Sequence, residues 1–217
     1  MNQIIDLTRT LEHGQPGVEF QQKFTVAEKG WNAKTLRLYS HTGTHMDAPI
    51  HFGVSEKTID QIPMSRLWVK GNLVEVELSE DRALLMPDPI LNSLGEDLTG
   101  QAVLIATGWS QHFDNYKRFR DGLPRISEPL ARELVARKVG IVGVEGPSVA
   151  DVNHLDEVTL IHKILLGGDV IIVEGLVNLD LIGQREFQFG AMPLKIGGGD
   201  GTPCRAFAVI DEKPEAR

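Results

Sequence analysis

Short runs of β-branched and aliphatic residues recur along the chain, at 4–7, 36–39, 73–78, 102–107, 141–144, 170–174 and 205–210. Several are apolar at consecutive positions, so both faces of the strand they form must be covered. Two segments among them carry helical periodicity and end signals. Ser127 is a natural N-cap, Leu130, Leu134 and Val135 fall on one face, and Gly140 offers a left-handed stop. The second segment runs from Asp156 through Val158, Ile161 and Leu165 to Gly167-Gly168, followed by Asp169-Val170-Ile171-Ile172-Val173-Glu174 as a buried strand. Helix, glycine turn and buried strand in succession predict an α/β fold, with a mixed β-sheet flanked by helices. No repeat, low-complexity segment or Pro/Ser-rich linker interrupts the chain, so one domain over 1–210 and a polar tail over 211–217 are expected.

The 217 residues carry 22 Lys and Arg against 30 Asp and Glu, a net charge of −8, which would repel a phosphate backbone. Basic residues cluster no further than the pairs Lys117-Arg118 and Arg137-Lys138, so nucleic acid is not an expected partner. The opening Met1-Asn2-Gln3-Ile4-Ile5-Asp6 lacks the pattern of an export signal. No run of about 18 apolar residues occurs, so a cytoplasmic protein that does not engage a membrane is expected. Cys204 is the single cysteine, which excludes an internal disulfide and a thiolate metal site. Any metal must be held by His, Asp, Glu or water.

Three of the chain's seven histidines fall at His41, His45 and His51. With Asp47 they occupy odd positions, so in extended geometry they share one face, while Thr42, Thr44, Met46, Ala48, Ile50 and Phe52 take the other. A straight strand would hold His41 and His51 about 33 Å apart, beyond the reach of one ion. Gly43 and Pro49 permit or impose bends, and a kinked loop wrapping its side chains around a centre fits best. Imidazole nitrogen and carboxylate oxygen are ordinary ligands of Zn²⁺ or Mn²⁺, and Asp47 can bridge two ions through its two oxygens. The competing reading, polar residues hydrogen-bonded at a sheet edge, leaves such a density of imidazoles without a use.

The stretch His41-Thr42-Gly43-Thr44-His45-Met46-Asp47-Ala48-Pro49-Ile50-His51-Phe52 resembles the signature of the cyclase superfamily of metal-dependent hydrolases, which includes bacterial kynurenine formamidases and isatin hydrolases. The resemblance extends through Ile5-Asp6-Leu7-Thr8, Thr107-Gly108-Trp109, Gly143-Val144-Glu145-Gly146-Pro147-Ser148, Glu174-Gly175-Leu176 and Asp200-Gly201-Thr202-Pro203-Cys204-Arg205-Ala206. It implies a swivelling β/β/α-type fold and a homodimer or homotetramer. It also implies one or two Zn²⁺, with Mn²⁺ as the alternative, held by His41, His45, Asp47, His162 and Glu174, with His51 as catalytic acid and base. The implied reaction is hydrolysis of a small amide, foremost an arylformamide such as N-formylkynurenine, and otherwise an isatin-type cyclic amide, lactone or ester. Two departures stand out: Val18 follows Gln15-Pro16-Gly17 where an acidic residue is common, and Glu145 replaces a more usual Asp.

Phe24, Trp31 and Trp109 are candidates for stacking an aromatic substrate. Gly197-Gly198-Gly199-Asp200-Gly201 lacks the spacing of a phosphate loop and reads as a turn. Cys204 and Ser148 have no neighbouring histidine to activate them. His112 and His154 are expected on solvent-facing loops, and His13 at a pocket mouth or on the surface. A rival of another class is a binding module whose metal only stabilises a loop, against which a further, non-ligating His51 argues.

Overall fold

In the computed structural model, which describes residues 2–211, the strands are β1 (Asn2–Asp6), β2 (Val18–Phe24), β3 (Ala33–Leu38), β4 (His45–Asp47), β5 (Trp68–Glu75), β6 (Leu84–Leu85), β7 (Ala102–Ala106), β8 (Arg125–Ile126), β9 (Ile141–Val144), β10 (Ile171–Glu174), β11 (Glu186–Pro193) and β12 (Gly201–Asp211). The helices are α1 (Val26–Lys29), α2 (Pro87–Leu91), α3 (Tyr116–Asp121), α4 (Glu128–Ala136) and α5 (Leu155–Gly167). Eight strands form a mixed sheet in the order β1-β12-β11-β5-β7-β9-β10-β4, parallel from β5 to β10 and antiparallel elsewhere. β12 pairs with β1 through Phe207 to Asp211 and with β4 through Gly201 to Pro203, so the sheet closes on itself.

Strand alternation explains the apolar runs, because successive residues face two different cores. Ala102, Leu104, Ile171 and Val173 point into the closed sheet with Met46, Phe189 and Ala206. Val103, Ile105, Val142 and Ile172 point outward, where Leu130, Leu134, Ile161 and Leu165 of α4 and α5 cover them. Fully burying each such large aliphatic side chain contributes about 1.5–3 kcal/mol, so these strands are specified on both faces. The run at 36–39 behaves differently. It belongs to β3, which pairs only with β2 as a separate two-stranded arm and leaves Leu36 and Tyr39 exposed.

α4 begins as expected, with Ser127 Oγ accepting from Leu130 N. Its end does not follow the glycine: Lys138 takes the left-handed conformation at φ 58°, and Gly140 is not left-handed. A Cβ on Gly140 would stand 2.6 Å from the Gly100 carbonyl oxygen, so close backbone approach is what requires glycine there. α5 starts one residue ahead of Asp156 and is capped by His154, whose Nδ1 accepts from Glu157 N. No helix among the described residues is long and apolar enough to cross a membrane.

Candidate metal centre

Strand register assembles the centre. In the β10–β4 pair Glu174 lies opposite His45 and Ile172 opposite Asp47. Met46 and Val173 point into the closed sheet, so His45, Asp47 and Glu174 project from its outer face toward α5, which delivers the buried His162. The chain around β4 turns back as the sequence spacing requires: Gly43 is left-handed at φ 61°, and Pro49 opens a single 3₁₀ turn over Pro49–Phe52. His41 and His51 thereby stack with ring centroids 3.8 Å apart. Thr42, Thr44, Met46 and Ala48 are buried on the opposite side.

The ligating atoms fall into three overlapping sets, His41/His45/Asp47, Asp47/His162/Glu174 and His41/His51/Asp200, each confined within 4.8 Å. Asp47 is common to the first two, which is the disposition a bridging carboxylate needs. The donor set fits a cation on direct evidence. His162 Nδ1 bonds to the Val158 carbonyl at 2.7 Å and His45 Nδ1 to that of Gly43 at 3.0 Å, so both rings must carry the Nδ1 proton. Their Nε2 atoms then face carboxylates: His45 Nε2 lies 3.0 Å from Glu174 Oε2, and His162 Nε2 lies 3.4 Å from Glu174 Oε1 and 3.6 Å from Asp47 Oδ2. A neutral imidazole would set its lone pair against those of the carboxylates, so a proton or a metal ion must lie between them. Buried His45 Nε2 and Asp47 Oδ2 have no hydrogen-bond partner among the described residues.

The metal-free electrostatics match. Burial works against charge on His45 and His162, yet Glu174 and Asp47 overcome it and raise both above the ordinary imidazole range. His41 bonds Asp47 Oδ1 at 2.8 Å and Asp200 Oδ2 at 3.0 Å, and despite the cost of burial these partners push it up to about 9. Glu174 is held well below the usual carboxylate range by His162 and His45, against its burial. His51 alone goes the other way. Burial, with the neighbouring His41 and His162 charges, lowers it despite Asp47.

A cavity of about 440 Å³ opens beside His41 and His45, walled by Tyr39, Phe113, Tyr116 and Phe119. The aromatic candidates from the sequence do not line it. Phe24 and Trp31 pack together on the β2–β3 arm with centroids 4.9 Å apart. Trp109 is 2% exposed in a core with Phe119 and Leu123, and its Nε1 donates to the Phe119 carbonyl. Glu145, the longer acid, is buried and accepts from Thr107 N, Thr107 Oγ1, Trp109 N and Ser110 Oγ, so it pins the loop after β7. Val18 is buried, which accounts for an apolar residue there. Cys204 is buried and its thiol is pushed up to about 12 by burial and by Asp47, which removes it as a nucleophile. His13 is exposed and accepts from Phe20 N, His154 is the exposed cap of α5, and half-buried His112 packs edge-on against Trp109.

The family model described as "Putative cyclase" matches residues 5–151 of the chain. The chain belongs to this family. Cyclase family relatives span nearly its whole length: a kynurenine formamidase of Salinibacter ruber is 30% identical, covering 98% of this chain and 99% of the relative, and a kynurenine formamidase of Geobacillus thermodenitrificans is 29% identical, covering 95% and 97%. Among solved structures, an isatin hydrolase bound to a product analogue, thioisatinate, superposes with a TM-score of 0.87 at 21% identity, covering 97% of this chain and 93% of that one. The same fold therefore recurs in that isatin hydrolase.

Proposed function

We propose that this chain is a metal-dependent amide hydrolase whose substrate is an arylformamide of the N-formylkynurenine type. The observation that carries the reading is the pair of Nδ1-anchored histidines, His45 and His162, aiming Nε2 at the buried carboxylates of Asp47 and Glu174 beside an aromatic-walled cavity. The length-wide likeness to two kynurenine formamidases supports the substrate class.

His41, His45, Asp47, His162 and Glu174 would hold one or two divalent ions, zinc foremost and manganese as the alternative, since imidazole and carboxylate suit both. Such an ion supplies an acidified water and polarises the scissile carbonyl. The protein does the rest. His51, kept neutral by its surroundings and stacked on His41, accepts the proton from the attacking water and returns it to the leaving aryl nitrogen. Tyr39, Phe113 and Tyr116 hold the aryl ring and exclude water from one side of the reacting carbonyl. A cytoplasmic setting accords with the single buried thiol.

Protein stripped of metal and reloaded with Zn²⁺ or Mn²⁺ tests this against N-formylkynurenine and isatin. Turnover of the formyl compound on reloading is the expected result. Ring opening of isatin alone would favour the second reading, a cyclic amide or ester hydrolase, which the fold likeness to an isatin hydrolase keeps in view. Bound metal with no hydrolysis of either would overturn the formamide reading and move the search to other cyclic amides, lactones and esters, and only inactivity across such a panel would leave a binding module.

A further inference from the structure

The cavity wall carries one strongly basic side chain, Arg9, whose disposition the reaction above does not use. Its guanidinium lies 3.8 Å over the Phe113 ring, so the face of the fork is occupied and only its edge is left for hydrogen bonding. One edge donor, Nη2, bonds the Ser110 carbonyl at 3.0 Å. Nε is buried and has no hydrogen-bond partner among the described residues. A buried Nε is out of a ligand's reach, so the donors that remain for one are those of the guanidinium's terminal Nη groups, charge-assisted and in the fork geometry that a carboxylate accepts.

The position of this edge relative to the metal centre is fixed by backbone. Arg9 N donates to Thr44 Oγ1 at 2.8 Å, and Thr44 Oγ1 donates to the Gly175 carbonyl at 2.7 Å. Thr44 precedes His45 and Gly175 follows Glu174, so Arg9 is tied to two members of the centre at once. A substrate whose amide is at the centre and whose aryl ring rests on the aromatic wall has its far end within a cavity to which, among the described residues, Arg9 alone contributes a guanidinium.

We propose that Arg9 is the specificity-determining residue of this cavity, binding a carboxylate borne by the substrate at the end remote from the scissile amide. This rests on the amide hydrolase reading, and it says which aryl amides the site prefers: those that bear a carboxylate over those of similar ring size that do not.

The test compares metal-loaded wild type with Arg9→Met and Arg9→Lys on N-formylkynurenine, which carries a carboxylate, and N-formylaniline, which does not. The ratio of the two kcat/KM values should fall about 10- to 100-fold in Arg9→Met, through KM rather than kcat, as expected for loss of a charge-assisted hydrogen bond, and partly recover in Arg9→Lys. An unchanged ratio, with both substrates losing equally, overturns the proposal and makes Arg9 a wall-building residue. Calorimetric binding of kynurenine and of its decarboxylated analogue kynuramine reads the same preference without turnover. If wild type hydrolyses neither formyl compound yet binds kynurenine more tightly, and Arg9→Met abolishes that preference, the formamide reading falls and the carboxylate site stands. Equal affinity of the two for wild type overturns the carboxylate site itself.

Discussion

His51 and Asp47 sit four residues apart in sequence and have opposite tasks in the reading above, so their variants should fail in opposite ways. His51→Asn should lower kcat by about 100-fold or more, the range general acid–base catalysis supplies, while metal content measured by emission spectroscopy stays at the wild-type value. Loss of metal in that variant would make His51 a ligand. Asp47→Asn should lose metal and, with it, thermal stability, since an ion that binds only the folded state stabilises it; an unchanged stoichiometry would remove Asp47 as the bridge. The sequence displays His41, His45, Asp47 and His51 because they crowd one short stretch, where density and odd-number spacing can be counted. His162 and Glu174 were legible only through family resemblance, for nothing local distinguishes a helical histidine that ligates from one that is merely buried. Arg9, Tyr39, Tyr116 and Asp200 escaped because each reaches the site from a distant segment, and no spacing rule connects them.

At the scale of elements, the helices show which signals survive folding. Ser127 caps α4 as its type demands, but the glycine four positions after the helix end serves close packing on Gly100, and the left-handed turn falls to Lys138. A lysine there carries backbone strain that glycine relieves, so Lys138→Gly should raise stability by about 0.5–1 kcal/mol, and Gly140→Ala should lower it, both measurable by urea unfolding. A destabilised Lys138→Gly would mean that the side chain packs in a way that outweighs its φ. Gly168 makes the same point: a Cβ there would run into Val135 of α4, while the turn's left-handed residue is Asp169 at φ 61°. Glycines announce that something unusual happens nearby, but a crowded contact and a positive φ look alike in sequence. The loop after β7 offers a further test. Glu145→Ala would leave four donors to find other partners, of which only Trp109 N is in a fully buried bond, and a loss of about 1–3 kcal/mol with metal content intact is expected, because one unpartnered buried donor costs that much and none of these hydrogen bonds is to a member of the centre.

For the whole molecule, the centre couples protons, metal and folding. Without metal, the raised His41 binds its proton more tightly in the folded chain than in the unfolded one, so its contribution is fully present below about pH 6.5 and is lost as pH climbs through about 9. An ion must displace that proton, so metal affinity should rise over the same window. Melting curves of stripped and loaded protein should therefore diverge as pH increases from about 6.5 to 9, and a gap that stays constant would show that His41 is not displaced. The mixed α/β class was legible from the doubly apolar runs, but closure of the sheet was not, because pairing between β4 and the start of β12 leaves no mark in either segment.

That closure sets an order of events during synthesis. His41 is bonded to Asp200 across 159 positions, and the strand that carries His45 and Asp47 is flanked by β10 on one side and by Gly201 to Pro203 on the other. His41, His45 and Asp47 leave the ribosome early and must wait for β12, the last described strand, to be translated. A ribosome stalled before residue 200 would therefore hold a chain whose His41, His45 and Asp47 have emerged but whose β4 still has one bare edge, so the centre can be assembled only at the end of biosynthesis.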